Sequence, residues 1–455
     1  IHLGLLFANL ITIYFLYRFT KKLLGKYYGV LAAGVFAISS ISIDLLGFAG
    51  HATHFVVLAA VIGLFLTYKA YERNNLRSYL IAGFAIGCAP IMKQHGVVFP
   101  IAGGVLLFCL WIQDRDSSKL KQHAVQTLIY IAGGILPVLL IVIYLQISGV
   151  WSNFIFWTNE YGFDYGSQIP ASLAVESFIY NFKRIYNPYQ LFWIFFLPGI
   201  ISGFFIKNFR FKALFVLLLA LLSFVAISVG FYFRPHYFIM ILPAVSISFA
   251  VLLYSLEPFF MRMTKAAYAK SFKWIAFCLI VIIAIWNEYD YLFQKSPNRL
   301  CKKTYKENIF VESLTIGKFI KQNTEKDDRI AVFGSEPQIY FYADRKSATG
   351  YLYTFAQMEI HKNSLRMQKE MASEIEKNKP SIMVMVGVRT SWYRKPQSPT
   401  YIFEWVNKYI RENKYVSIGL MEVGSDGSNF ITGPEVTTYK LKPGPYVEIY
   451  KKRDR

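Results

Sequence analysis

Five of the seven histidines in this sequence, His2, His51, His54, His95 and His236, fall at or beside the ends of long apolar blocks, with Lys93, Gln94, Arg234 and Tyr237 among them. Ionisable groups at a membrane boundary are costly unless they face water or a substrate. Imidazoles gathered with an ammonium and a guanidinium suit an anionic ligand such as a lipid phosphate or diphosphate. His51 and His54 stand three apart and share one face of a helix. That spacing also permits a metal ion, with His95 or His236 as further ligands. Phosphate or sugar hydrogen bonding, metal ligation and structural histidines satisfied at an interface all stay open. No metal ligand set is assigned, and a divalent metal remains an unassigned cofactor.

Carboxylates matter because a general base must come within hydrogen-bond reach of the hydroxyl it deprotonates. Glu160 and Asp164 are four apart within an aromatic stretch and align on one face if it is helical. Asp44 is a further candidate. The surrounding stretch, 148–187, carries Trp151, Phe154, Phe156, Trp157, Tyr161, Phe163, Tyr165, Tyr180 and Tyr186. It reads as an outer loop that either forms an interfacial aromatic belt or acts as a lid over a lipid tail or sugar ring.

The elements that must position these groups are membrane helices. Of the 455 residues, 55% are hydrophobic, 18% aromatic and only 17% charged. A crossing helix needs about 20 apolar residues. Apolar blocks run over 3–17, 27–48, 53–68, 79–92, 96–112, 124–147, 190–206, 213–233, 237–256 and 274–293, which predicts about ten crossings. The formal charge of +21 invites a nucleic-acid reading, but the basic residues stand in short clusters between these blocks, so topology explains them and no nucleic-acid partner is expected. Cys88, Cys109 and Cys278 lie within apolar blocks and Cys301 is isolated, so the cysteines form no framework.

Every second connector is basic: Arg18 to Lys26, then Lys69 to Arg77, Arg115 to Lys121, Lys207 to Lys212 and Arg262 to Lys273. The positive-inside rule places those turns in the cytoplasm. The stretch 148–187 and residues 294–455 then lie outside, as does Ile1. A chain that starts outside without an initiator Met is expected to have lost an N-terminal crossing.

After Ser296 the composition becomes that of a soluble domain. Helices are expected at Ile316 to Gln322, Met358 to Asn378 and Tyr401 to Arg411. Strands are expected at Arg329 to Phe333, Ile339 to Tyr342, Ser381 to Val386, 415–422 and 446–451. The alternation predicts a small α/β domain. No glycine-rich phosphate loop follows its strands. Its segment Ser391-Trp392-Tyr393-Arg394-Lys395-Pro396 reads either as a plain exposed loop or as a contact for sugar or headgroups.

Four stretches resemble glycosyltransferase family 39 and its GT-C-fold relatives, whose bacterial branch is described as dolichyl-phosphate-mannose-protein mannosyltransferase-like. Tyr14 to Ser40 resembles a crossing pair of that family. Leu76 to Gly96 resembles another segment, with Gly83, Gly87 and Lys93 on its pattern. Tyr232 to Ala244, with FRPHYFIMILPA beginning at Phe233, resembles a third, with His236, Tyr237 and Pro243 in place. Arg329 to Tyr351 resembles part of the external domain.

The resemblance implies an α-helical multi-pass membrane protein with an extracytoplasmic C-terminal α/β domain, set in the plasma (inner) membrane. It implies transfer of a sugar from a polyprenyl-phosphate donor to an extracytoplasmic acceptor, with inversion. Lys93 would help hold the donor phosphate, with Gln94, His95, Arg234, His236 and Tyr237 nearby. His54 stands where many relatives carry an acid. The family's catalytic Asp lies in a first external loop that this sequence does not contain, so the chain as given is expected to be inactive. Two other classes compete: a transporter or flippase for lipid-linked sugars, and an extracytoplasmic sensor or assembly subunit.

Overall fold

A computed structural model describes every residue except 1, 115, 264, 265, 295, 425, 426, 454 and 455. Ile1, Arg115 and Lys265, on which the charge pattern drew, therefore lie outside the described residues. The chain divides into two compact units, Ile1–Phe293 and Gln294–Arg455.

The first unit is helical. It runs through α1 (His2–Leu24), α2 (Lys26–Ser39), α3 (Ala52–Arg73), α4 (Leu76–Gly87), α5 (Ala89–Met92), α6 (Val98–Asp114) and α7 (Leu120–Ile147). Next come α8 (Trp151–Ile155), a π turn at Phe156–Glu160, α9 (Tyr161–Gly166), α10 (Ala174–Tyr186), α11 (Gln190–Ile194), α12 (Phe196–Phe204), α13 (Arg210–Ser228), α14 (Leu242–Met263), α15 (Ala266–Asn287) and the short α16 (Tyr289–Leu292). Among the described residues, six helices are long and apolar enough to cross a membrane: those in His2–Leu24, Ala52–Arg73, Gln94–Asp114, Leu120–Ile147, Arg210–Phe231 and Pro235–Arg262. Three of the other expected crossings are shorter apolar helices, at Lys26–Ser39, Leu76–Met92 and Ser271–Asn287. The block expected at 190–206 breaks into α11 and α12. The chain is thus a multi-pass helical membrane protein.

Two observations order the bundle. Asn9 and His54 meet at 3.0 Å near the starts of α1 and α3, while Lys22 and Glu72 pair at 2.8 Å near their ends. These two helices therefore run parallel, with the histidines at one end and the basic turns at the other. Helices α4 and α7 touch backbone to backbone. A Cβ on Gly83 would lie 2.0 Å from the Tyr130 carbonyl oxygen, and one on Gly133 would lie 2.3 Å from that of Leu80. Small residues let membrane helices approach this closely, because their association depends on packing rather than on water expulsion. Most of α7 otherwise faces outward, with Ile135, Leu139, Leu140 and Ile143 exposed, as a lipid-facing surface requires.

The stretch 148–187, expected as a loop, is largely helical. Its longest piece, α10, is amphipathic: Phe178 packs against Phe233 at 5.2 Å and Phe182 against Trp193 at 5.2 Å, while Glu176 and Tyr180 stay exposed. An interfacial helix of that kind carries too many polar residues to stand out in hydropathy.

The second unit adds α17 (Pro297–Tyr305), α18 (Glu312–Gln322), β1 (Arg329–Phe333), α19 (Pro337–Ala343), β2 (Lys346–Ser347), α20 (Phe355–Met358), α21 (Ser364–Asn378), β3 (Ile382–Gly387), α22 (Arg389–Trp392), α23 (Tyr401–Glu412), β4 (Tyr415–Glu422), β5 (Asn429–Thr432) and β6 (Tyr446–Lys452). The sheet order is β2-β1-β3-β6-β4-β5, parallel from β2 to β3 and antiparallel beyond. Ile330, Val332, Val384 and Ile449 pack with Ile316, Ile320 and Ile339 on one face. Ala331, Phe333 and Met383 pack with Met371, Ile375, Ile402 and Val406 on the other. The result is an α/β/α layering.

Ile339 to Tyr342, expected as a strand, forms α19 instead. Four apolar residues cannot distinguish the two periods. Pro337 opens the helix, which buries Ile339, Tyr340 and Ala343 at helical spacing. The helix expected from Met358 is split: α20 ends at Met358 and α21 starts at Ser364.

Candidate functional site

The site lies where several helices of the first unit begin or break. Pro90 opens the four-residue α5, and Lys93 then leaves the helix in an extended conformation before a 3₁₀ turn, Gln94–Val97, leads into α6. Lys93 and His95 come from this break. His51 stands just before α3 and His54 in its first turn. The stretch Val229–Ile241, two 3₁₀ turns joined by non-helical residues, supplies Tyr232, Arg234, His236 and Tyr237. Breaks of this kind are tolerated at membrane depth where they line a cavity.

The groups converge. Lys93 Nζ lies 3.7 Å from the centre of the Tyr237 ring, and His95 lies 5.0 Å from the same ring. His51 and His236 stack face to face, 4.0 Å apart and 7° from parallel. Arg234 donates to the Tyr165 hydroxyl at 2.6 Å and sits 5.0 Å from the Tyr232 ring. Tyr165 and Tyr232 are themselves stacked at 4.8 Å. Gln94 donates to the Thr158 carbonyl at 3.2 Å.

Electrostatically the site is a concentration of positive charge with little to neutralise it. Burial, reinforced by the Arg234 guanidinium, pulls the Lys93 ammonium down to about 8. Burial and then Lys93 hold His51 below the usual histidine range. Among the described residues, Nε2 of His51, Nε2 of His54 and Nδ1 of His95 are buried without a hydrogen-bond partner. Buried polar atoms are seldom left so.

Beside this group opens a cavity of about 520 Å³. Lys93, Gln94, His95, Tyr165, Tyr232 and Tyr237 line one part of it. Val138, Ile141 and Val142 of α7, with Pro90 and Ile91, line another. A cationic, aromatic rim joined to an apolar wall can hold an anion attached to an apolar tail.

Of the residues expected from sequence, Lys93, Gln94, His95 and Tyr237 line the cavity, and Arg234 and His236 adjoin it through their contacts. His51 reaches the group through its stack on His236. His54 instead turns Nδ1 to Asn9. Glu160 is exposed, and neither it nor Asp164 lines the cavity, although Asp164 Oδ2 is buried without a partner among the described residues. Asp44 pairs with Arg184 at 3.5 Å, away from the lining. His2 is exposed in the first turn of α1. Sequence reasoning missed Asn9, Tyr232 as a partner of Arg234, and the α7 face. A lining valine carries no signal that separates it from a lipid-facing one.

A metal fits this arrangement poorly. Parallel stacked imidazoles present faces to each other, whereas ligands must aim their nitrogens at one point. Among the described residues no group of three or more His, Cys, Asp or Glu is placed to hold a metal ion.

The membrane unit and the sheet domain together make a GT-C-like architecture. Residues 1–144 match the family described as dolichyl-phosphate-mannose-protein mannosyltransferase. Among solved structures, the chain is similar to the oligosaccharyltransferase of Archaeoglobus fulgidus in complex with Zn and sulfate, at 14% identity and a TM-score of 0.54, over 95% of this chain and 61% of that one. It is also similar to the oligosaccharyltransferase AglB of Archaeoglobus fulgidus in complex with an inhibitory peptide and a dolichol-phosphate, at 12% identity and a TM-score of 0.46, over 94% of this chain and 62% of that one. The chain thus spans about three-fifths of the length of these oligosaccharyltransferases. No curated protein matches it.

Proposed function

We propose that this chain serves membrane glycosyl transfer, moving a sugar from a polyprenyl-phosphate donor to an acceptor on the extracytoplasmic side, with inversion at the sugar carbon. The observation that carries this reading is Lys93 on Tyr237 and Arg234 on Tyr165 and Tyr232, standing beside a cavity with an apolar wall. The lipid phosphate lies against Lys93 and Arg234, and the first isoprene units lie along Val138, Ile141 and Val142. As the sugar–oxygen bond breaks, negative charge builds on the departing phosphate. Cations already in place stabilise that charge without reorganising. Gln94, His95 and His236 hydrogen-bond the phosphate or the sugar. Glu160 and Asp164 remain proposals for acceptor-side carboxylates.

The family description, which names a lipid-linked mannose, supports a lipid-linked donor. The alternation of basic turns supports an inner-membrane orientation with residues 294–455 outside.

The deciding experiment supplies radiolabelled polyprenyl-phosphate sugar to the full-length protein, with the expected first external loop in place, in sealed proteoliposomes. Transfer of label to an added acceptor is the expected outcome. Label crossing the bilayer without transfer points to a flippase instead. The reading is lost if a polyprenyl phosphate binds no better than the matching polyprenol.

A further inference from the structure

The second unit contains an open cavity of about 310 Å³ at the carboxyl end of β3, lined by Gly387, Arg389, Trp392, Arg394, Phe403 and Tyr446 among others. In open sheets with parallel strands, ligands collect at the carboxyl ends of those strands. The walls are fixed. Trp392 is buried, donates from its indole nitrogen to the Val386 carbonyl at 2.8 Å, and packs 4.6 Å from Phe403. Tyr446 covers Gly387 so closely that a Cβ there would stand 2.3 Å from the ring. That glycine lets the aromatic ring settle on the strand end.

The charges are unanswered. Arg389 and Arg394 are exposed, and among the described residues neither makes a salt bridge. The Arg394 guanidinium lies 5.3 Å from the Phe403 ring centre, which orients it without neutralising it. Glu448 lies two residues from Tyr446 on β6, opposite Met385 in the strand pairing. Glu448 is not among the lining residues and reaches Tyr450 instead, so the lining carries two cations and, among the described residues, no acid.

We propose that this cavity binds an anionic saccharide, a sugar bearing a phosphate or a carboxylate. The anion meets Arg389 and Arg394, whose planar forks suit either group. The sugar ring lies against the aromatic wall of Phe403 and Tyr446. A neutral sugar leaves both guanidinium groups unused, and a bare anion leaves the aromatic wall uncovered. The volume is at the lower end of the range for small-ligand sites, the size of one or two sugar rings. The ligand is either a free glycan or the headgroup of an anionic glycolipid, and the two share this chemistry.

The test uses the full chain in phosphatidylcholine nanodiscs, titrated with glucose 6-phosphate, glucuronate, glucose and inorganic phosphate, and read by saturation-transfer NMR and calorimetry. Glucose 6-phosphate and glucuronate should bind at least about tenfold more tightly than glucose or inorganic phosphate. The double variant R389Q/R394Q should lose that preference with its circular dichroism unchanged, because both side chains are exposed. K93Q should leave this binding intact, which separates the site from the lipid-phosphate reading of the membrane unit. Equal binding of glucose 6-phosphate and inorganic phosphate would overturn the proposal, as would binding that survives the double variant or no binding at millimolar concentration. Nanodiscs containing an anionic glycolipid distinguish the source. Weaker apparent binding of glucose 6-phosphate there identifies a headgroup, unchanged binding identifies a free glycan, and either keeps the chemistry.

Discussion

Lys93 holds its ammonium 3.7 Å from the centre of the Tyr237 ring, within a site that otherwise raises the cost of that charge. The ring's negative face offsets part of the lost hydration. Burial and Arg234 still bring the group down to about 8, so Lys93 is charged at neutral pH with little to spare.

A pH dependence follows. Charged Lys93 favours a bound phosphate, so affinity for a polyprenyl phosphate should be highest between about pH 6, where the phosphate itself takes up a proton, and about pH 8, and fall as pH rises through the latter value. In K93R the charge persists, and the profile should stay flat to pH 9. K93Q should weaken binding about tenfold or more at pH 7. A wild-type profile flat to pH 10, measured by native mass spectrometry in nanodiscs, would contradict the assignment.

Arg234 and Tyr165 should act as a unit. Their 2.6 Å hydrogen bond predicts a coupling of about 1 kcal/mol in a double-mutant cycle of R234Q and Y165F for polyprenyl-phosphate binding. Strict additivity of the two changes would show that Tyr165 does not position the guanidinium.

The crossing of α4 and α7 makes a positional prediction. Ala at Gly83 or Gly133 meets a backbone carbonyl and should destabilise the membrane unit by about 2 kcal/mol. Ala at Gly134 meets nothing nearer than the Gly83 carbonyl oxygen at 3.6 Å and should be tolerated. Thermal unfolding in detergent, followed by tryptophan fluorescence, ranks the three. Equal losses at all three positions would refute the packing described.

In the second unit, Glu336 is buried and accepts from Gln338 at 2.5 Å. Burial pushes its carboxyl above the usual glutamate range, against the opposing hydrogen bonds from Gln338 and Ser391. The folded state therefore binds this proton more tightly than the unfolded chain. Stability contributed by the protonated group is complete below the unfolded pKa and is lost as pH rises through the folded one. E336Q should retain the carbonyl acceptor, raise stability at pH 7 by about 1 kcal/mol and flatten that part of the profile. Denaturant titrations at pH 4 and pH 7 measure both effects.

Much of the membrane unit was legible because a bilayer imposes a run length, so blocks such as 53–68 and 124–147 could hardly be other than helices. The helical content of 148–187 was not, since α10 keeps one face polar. Ile339 to Tyr342 misled because β-formers over four residues are overruled when a proline start and a neighbouring helix decide the backbone. Lys93, Gln94 and Tyr237 were visible as polar residues interrupting apolar sequence. Tyr232 was hidden among neighbouring aromatics, and Val138, Ile141 and Val142 were hidden because apolar lining and lipid-exposed surface look alike in one dimension.

The glycine contact between α4 and α7 also bears on selectivity. One turn beyond Gly87 comes Ile91, and one turn beyond Gly134 comes Val138; both border the larger cavity. The cavity wall therefore begins one turn past the pinned glycines, where the helices carry branched side chains in place of hydrogen. If the cavity takes a polyprenyl phosphate as proposed, trimming Ile91 or Val138 to alanine should broaden the cavity without loosening the pin and change which isoprenoid geometries bind.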